Sequence, residues 1–148
     1  MIYLEFGFCN LYLFIMLLFI NTTNIDRAEI ALVGEKKITK ANFKINRDLS
    51  EKLLPAIQAL LKKTRINFSG ILILAVATGQ GSYTGVRIGV STANALAFSL
   101  KIPIFQVDSK AIFGKNLARL YLKKAKIGQI SPIYGGLPNI TKSNRRKY

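Results

Sequence analysis

A glycine-rich stretch, TGQGSYTGVRIG at residues 78–89, lies between two apolar runs of the 148-residue chain. A glycine-rich turn that leads into a helix can bind phosphate, because free backbone N–H groups and the helix dipole favour an anion there. Arg87 could contact such an anion or anchor the loop. The full set of loop candidates is Gly79, Gly81, Ser82, Tyr83, Thr84, Gly85 and Arg87. Phosphate binding is therefore one hypothesis for this stretch.

The specific phosphate-binding fingerprints are absent from this stretch. A P-loop ends in Gly-Lys-Ser/Thr, whereas Val86 and Arg87 follow Gly85 here. The dinucleotide fingerprint requires a glycine where Thr84 stands and an acidic residue about 20 positions later. Asp108 has nearly that spacing, but it follows the next predicted strand.

The residue types that are missing restrict catalysis further. The chain has no histidine, which excludes Ser-His-Asp and Cys-His catalysis and any His-containing metal site. Ser82 consequently has no base that would activate it as a nucleophile. Seven acidic residues and one cysteine, Cys9, offer little for a metal site or a carboxylate pair. We expect no catalytic residue, no metal and no cofactor, and the single cysteine fits a reducing cytoplasm.

The same glycines also have a structural interpretation. Gly81, Gly85, Gly89, Ala93 and Ala97 recur at every fourth position and so form a ridge of small residues along a helix. A glycine inside a helix costs about 1 kcal/mol relative to alanine, so close approach of another element must explain two of them. The ridge packs either on the chain's own helix 49–63 or on a partner subunit.

The elements that must position these residues follow the order β-β-β-α-β-α-β-α. The predicted strands are 17–21, 29–33, 37–44, 70–77 and 102–107, and the predicted helices are 49–63, 84–100 and 109–124. Asp48 and Glu51 fit a capping box, and Pro55 should kink the first helix or delay its start. This order predicts an α/β fold with helices packed on a mixed sheet, like the ribonuclease H-like half of an actin/sugar-kinase fold.

The N-terminal run MIYLEFGFCNLYLFIMLLFI has three interpretations. Glu5 and Asn10 interrupt a transmembrane helix, and a signal peptide lacks its basic start and its cleavage site. We favour a leader, residues 1–15, before a domain that starts at Met16, with a membrane anchor as the rival. The domain then covers residues 16–126, and a closing segment with a basic tail covers residues 127–148.

The charge is strongly unbalanced, with a formal net charge of +15. Residues 101–148 hold 11 of the 22 basic residues and one acidic residue, Asp108. Basic clusters supply sequence-independent affinity for phosphate, so an RNA partner is one hypothesis and a solvated lysine-rich surface is the other. The candidate RNA contacts are Lys142, Arg145, Arg146 and Lys147.

Four segments carry a family resemblance. ATGQGSYTGVRIGVSTANALAFSLKIPIFQVDS resembles the signature of the TsaB (YeaZ) family, whose members read G-x-G-S-[FY]-T-G-[LV]-R-I-G before a helix of small residues. LFINTTNIDRAEIAL is similar to the family's first strand and hairpin, RDLSEKLLPAIQALL to its first helix, and SPIYGGLPNIT to its closing segment. The resemblance covers residues 16–139.

The resemblance implies an actin-like fold and a part in making threonylcarbamoyladenosine on tRNA. It implies a non-catalytic protein that dimerises with a catalytic TsaD-type subunit, joined by a TsaE-type ATPase; contact with tRNA could be indirect, and the chain could form a homodimer when alone. The implied interface is Leu49, Leu53, Leu54, Ile57 and Leu61 with Gly85, Gly89, Ala93 and Ala97.

The sequence departs from the family pattern at several places. Asn21 stands where the family usually has aspartate, Gln80 replaces a proline, and Leu49-Ser50 lies near the family's usual His-Ser pair. Most of the family's second subdomain is missing between the last predicted helix and the closing segment. A short variant with one subdomain would be further removed from any ancestral nucleotide-binding site of the fold. The implied dimer face, in contrast, lies wholly in the retained half.

Overall fold

The structure is a computed structural model that describes residues 16–34, 37–110 and 125–136. The predicted leader, residues 111–124 of the predicted third helix and the four candidate RNA contacts of the tail lie outside the described residues. Within the described residues, no helix has both the length and the apolar character needed to cross a bilayer.

Five strands form one mixed sheet. In chain order they are β1 (Leu17–Asn21), β2 (Arg27–Val33), β3 (Ile38–Lys44), β4 (Ile73–Thr78) and β5 (Ile104–Asp108), and their order across the sheet is β3-β2-β1-β4-β5. The first three strands are antiparallel neighbours, whereas β4 runs parallel to β1 and to β5. The predicted mixed sheet is confirmed.

The burial of each strand matches its place in the sheet. All six residues of β4 are buried, as are the first four of β1, because both strands lie in the interior of the sheet and are covered on both faces. The edge strand β3 instead alternates between partly buried and exposed residues. The carboxyl ends of β1, β4 and β5 meet at one edge, where the glycine-rich loop begins.

Two helices pack on one face of this sheet. They are α1 (Leu49–Thr64), which lies against β2 and β3, and α2 (Tyr83–Leu100), which lies against β4, β1 and β5. The apolar stripe of α1 explains its orientation, since Leu53 and Ile57 have no accessible surface and join Leu18 and Leu74 in one core. A second core, which includes Phe19, covers the opposite face of the sheet.

The start of α1 differs from the prediction. Asp48 precedes the helix but makes no side-chain bond to a helical N–H, so the predicted capping box with Glu51 is wrong. Its carboxylate instead accepts a hydrogen bond from the Asn46 N–H and forms an ion pair with Lys52. The hydrogen bond with Lys52 holds the pKa of Asp48 below its ordinary value. Of the two effects predicted for Pro55, the delayed start is wrong, because the helix begins at Leu49 and includes the proline, whereas the kink stays a prediction.

Candidate functional site: the glycine-rich turn and the α2 ridge

The turn from β4 to α2 depends on two glycines. Gly79 and Gly81 have φ angles of +107° and +144°, a region that residues with a Cβ rarely adopt. Ser82 then ends the turn as the N-cap of α2, and its Oγ accepts a hydrogen bond from the Gly85 N–H at 3.0 Å. The serine of the predicted loop is thus a helix cap.

The backbone donors of this turn are bonded within the chain. The Gly79 N–H donates to the Ile133 carbonyl at 2.7 Å, and the Ser82 N–H donates to the Thr23 carbonyl at 2.6 Å. The Gly85 N–H is bonded to Ser82 as described. An incoming phosphate would have to displace these bonds, so the geometry favours the structural interpretation of the loop over a phosphate cradle.

The ridge of small residues faces the end of β1. A Cβ on Gly85 would overlap the Thr22 carbonyl oxygen, and a Cβ on Gly89 would overlap the Thr22 Oγ1. The Thr22 hydroxyl uses this close approach to donate to the Gly85 carbonyl at 2.7 Å, a buried hydrogen bond between residues 63 positions apart. The glycines therefore let α2 lie directly on the loop that follows β1.

The expectation that the ridge and α1 form a contact face for another protein stays a prediction. Within this chain, eight of the nine expected interface residues are buried. They are Leu49, Leu53, Ile57, Leu61, Gly85, Gly89, Ala93 and Ala97. Leu54 is the ninth, and 40% of it is exposed.

The outer sides of the same helices carry large apolar side chains. Phe98 of α2 is 80% exposed, and Leu54 of α1 lies on the side away from the sheet. These two side chains are the candidate contacts that the helices offer to a partner. Phe98 was not predicted, because the sequence analysis of α2 considered its small residues. A large aromatic side chain directly after Ala97 is a signal that could have identified it.

An aromatic cluster marks the first turn of α2. The rings of Tyr83 and Tyr134 stack with centroids 4.2 Å apart, and the Arg87 guanidinium carbon lies 5.7 Å from the centre of the Tyr83 ring. Partial burial, and then the hydrogen bond with Tyr83, raise the pKa of Tyr134 above its ordinary value. Arg87 is exposed and contacts the ring four residues before it in the same helix, so its role as an anchor of the loop stays a prediction. Thr84 is exposed on the same turn.

Residues 125–136 comprise the described part of the closing segment and the two residues before it. They form isolated β-bridges near both ends of α2. Ile104 and Lys126 form an antiparallel bridge beside β5, and Gly79 and Tyr134 form a parallel bridge beside the glycine-rich turn. Between these bridges, the Asn94 side chain accepts from the Ile130 N–H at 3.0 Å and donates to the Ile130 carbonyl at 2.9 Å. Asn94 was not predicted, although a lone amide in an apolar helix is a signal that could have identified it.

We expect Asn94→Ala to loosen the closing segment. The substitution removes two hydrogen bonds and leaves both Ile130 backbone groups without their partner, which costs about 1–3 kcal/mol of the free energy of unfolding. Amide hydrogen exchange should accelerate at Ile130 and at Gly79 while the amides of β1 stay protected. Unchanged exchange at both amides would contradict the role of Asn94.

The polar groups at the carboxyl ends of the strands are also occupied. Asn21 Oδ1 accepts from both the N–H and the hydroxyl of Thr23, and Asp108 Oδ1 accepts from the Lys110 N–H. Both side chains thereby shape turns. In the described ranges, no group of three or more His, Cys, Asp or Glu residues could hold a metal ion.

Comparison with known proteins identifies the relatives of this chain. The family model described as TsaD: tRNA N6-adenosine threonylcarbamoyltransferase matches residues 43–118. The tRNA threonylcarbamoyladenosine biosynthesis protein TsaB of Buchnera aphidicola subsp. Schizaphis graminum is 33% identical over 115 residues, 73% of this chain and 55% of that protein. The protein of the same name from Bacillus subtilis is 34% identical over 118 residues, 80% of this chain and 49% of that protein.

A solved structure agrees with these relatives. YeaZ from Pseudomonas aeruginosa superposes with a TM-score of 0.60 at 30% identity, covering 64% of this chain and 44% of that one. The chain spans about half the length of the curated relatives it matches. The mixed sheet with its helices, this structural match and the family match confirm the predicted actin-like, ribonuclease H-like fold. From its fold, its signature turn and these matches, the chain belongs to the TsaB (YeaZ) family.

Proposed function

We propose that the chain is a non-catalytic subunit in the formation of threonylcarbamoyladenosine on tRNA, and that it acts as a heterodimer with a TsaD-type catalytic subunit in the cytoplasm. A TsaE-type ATPase joins the larger complex. The name of its relatives, tRNA threonylcarbamoyladenosine biosynthesis protein TsaB, supports the pathway. The chain covers about half of those relatives, so its role in the complex rests on the retained half.

The observation that carries this proposal is the set of hydrogen bonds that the glycine-rich turn makes within the chain. The N–H groups of Gly79 and Ser82 donate hydrogen bonds to the carbonyls of Ile133 and Thr23. The Gly85 N–H donates to the Ser82 Oγ. The turn thus supports the start of α2 and offers none of these donors to a substrate. This arrangement supports a non-catalytic role for the chain, with the reacting groups supplied by its partner.

The partner surface in this proposal is the outer side of α1 and α2. Leu54 and Phe98 are its apolar anchors, since a large exposed aromatic is the type of residue that carries most binding energy at interfaces. The buried ridge contributes indirectly, because its glycines and alanines set how closely α2 approaches β1. In the absence of the TsaD-type subunit, the same surface supports a homodimer.

Reconstitution of the modification tests the proposal. The purified chain is combined with the organism's TsaD-type and TsaE-type proteins, tRNA and the threonylcarbamoyl donor, and threonylcarbamoyladenosine is measured by mass spectrometry of digested tRNA. We expect product with all proteins present, and none above background when this chain is omitted or used alone. Product from the chain alone, or equal product without it, would contradict the proposal.

A further inference from the structure

A basic cavity lies at the end of the sheet opposite the glycine-rich turn. Its volume is about 260 Å³, and Lys37, Lys63 and Arg65 line it together with the hydroxyl of Thr39. Met16, just before β1, and Ile66 contribute an apolar wall. The proposed function uses none of these residues.

Two separate elements bring the three cations together. Lys37 lies just before β3, in the turn that the Gly34 N–H closes by donating to the Lys37 carbonyl at 2.9 Å. Lys63 belongs to the last turn of α1, and Arg65 caps that helix with a φ of 58°. The Arg65 N–H is bonded to the α1 carbonyls, so the backbone positions of all three residues are set by the fold.

The positive charge of this cavity is not balanced by its described lining, which contains no acidic residue. The ion pairs between described residues join Lys40 to Glu29 and Lys52 to Asp48, so neither involves a cation of the cavity. The carboxyl end of α1 contributes about half a negative charge, which is less than the three positive charges of the side chains. The cavity therefore attracts anions.

We propose that this basic cavity binds a phosphate group of an RNA backbone. Three cationic residues that line one concave site favour a phosphate more than an isolated surface lysine does, and Thr39 belongs to the same lining. The apolar wall suits the ribose that accompanies each phosphate. The net charge of +15 favours approach of a polyanion over the whole surface. The choice of tRNA as the RNA rests on the proposed function.

Fluorescence anisotropy with labelled tRNA transcript tests this inference on the full chain. The cavity variant is Lys37→Gln/Lys63→Gln/Arg65→Gln. The control variant is Lys44→Gln/Lys101→Gln/Lys126→Gln, which removes the same charge from exposed lysines that do not line the cavity. We expect the cavity variant to raise the Kd on the order of tenfold or more at 0.1 M salt, and to reduce the slope of log K against log salt by about 1, because one phosphate contact is lost. The control should stay within about threefold of wild type.

Other outcomes separate the alternatives. Equal effects of the two variants would show that the charge acts non-specifically and would overturn the proposal, as would loss of binding only on deletion of residues 142–148. Inorganic phosphate that protects the wild type against thermal unfolding, with RNA affinity unchanged in the cavity variant, would assign the site to free phosphate and overturn an RNA site. If the triple variant fails to fold, Lys63→Gln alone must raise the Kd several-fold more than Lys101→Gln alone does. The cavity variant should still bind the TsaD-type subunit, so failure here is distinct from failure of the proposed function.

Discussion

Gly85→Ala and Gly89→Ala will each destabilise the chain, while Gly136→Ala will not. An added Cβ overlaps the Thr22 carbonyl oxygen in the first variant and the Thr22 Oγ1 in the second, whereas no atom lies within 4 Å of the Cβ position at Gly136. Overpacking of this kind costs about 1–3 kcal/mol, and the better helix propensity of alanine offsets only about 1 kcal/mol. Urea unfolding followed by circular dichroism measures the loss, and wild-type stability in both variants would contradict the packing of the ridge.

Thr22→Ala distinguishes the two glycine contacts. By itself this change should cost about 1 kcal/mol, because it removes the hydrogen bond to the Gly85 carbonyl. It should rescue much of the stability of Gly89→Ala, since the clashing Oγ1 atom is gone. It should not rescue Gly85→Ala, where the clash is with backbone. We therefore expect a double-mutant cycle to measure a large coupling free energy between Thr22 and Gly89, and a small one between Thr22 and Gly85.

Phe98→Asp will abolish tight binding to the TsaD-type subunit. The substitution places a charge in the apolar centre of the proposed interface, and loss of such an anchor costs about 2–4 kcal/mol, or roughly a 30- to 1000-fold rise in Kd. Leu54→Asp should weaken binding less, since Leu54 is smaller and 40% exposed against 80% for Phe98. Isothermal titration calorimetry with the purified partner measures both changes.

The matched control for Phe98→Asp is Ile25→Asp. Ile25 is 73% exposed but lies in the loop between β1 and β2, away from the outer sides of the helices. The two variants carry the same charge change at exposed apolar positions. Because an aspartate in the last turn of α2 costs about 0.3–1 kcal/mol through the helix dipole, thermal unfolding must first show that both variants are folded. Equal affinity of Phe98→Asp and wild type would place the partner surface elsewhere, and equal weakening by both variants would indicate an effect of charge alone.

The sequence predicts the sheet well because strand burial depends on local pattern. The continuous apolar run before Thr78 predicts an interior strand, although β4 begins at Ile73 because Phe68–Gly70 form a short 3₁₀ turn. Helical spacing likewise predicts α2 to within one residue of its start, since Ser82 is a strong N-cap. Local chemistry thus decides most of the architecture.

The neighbours of each element are not readable from local pattern. Spacing of small residues shows that something approaches α2 closely, but only the fold shows that Thr22, 63 residues before Gly85, is the neighbour. The same limit applies to Asn94 and Ile130, which form hydrogen bonds with each other although they lie 36 residues apart in the sequence. The basic cavity is equally invisible, because the hairpin and the end of α1 meet only in the folded sheet.

Sedimentation velocity of the wild-type chain mixed with the TsaD-type subunit tests the central claim most directly. At equimolar concentrations of about 10 μM, a complex with micromolar or tighter affinity is well populated. We predict a single boundary at the mass of a 1:1 heterodimer, and a smaller share of that boundary, with the separate proteins present, when Phe98→Asp is used. Two boundaries for the wild-type mixture, at the masses of the separate proteins, would contradict the proposal that this chain is the partner of a TsaD-type subunit.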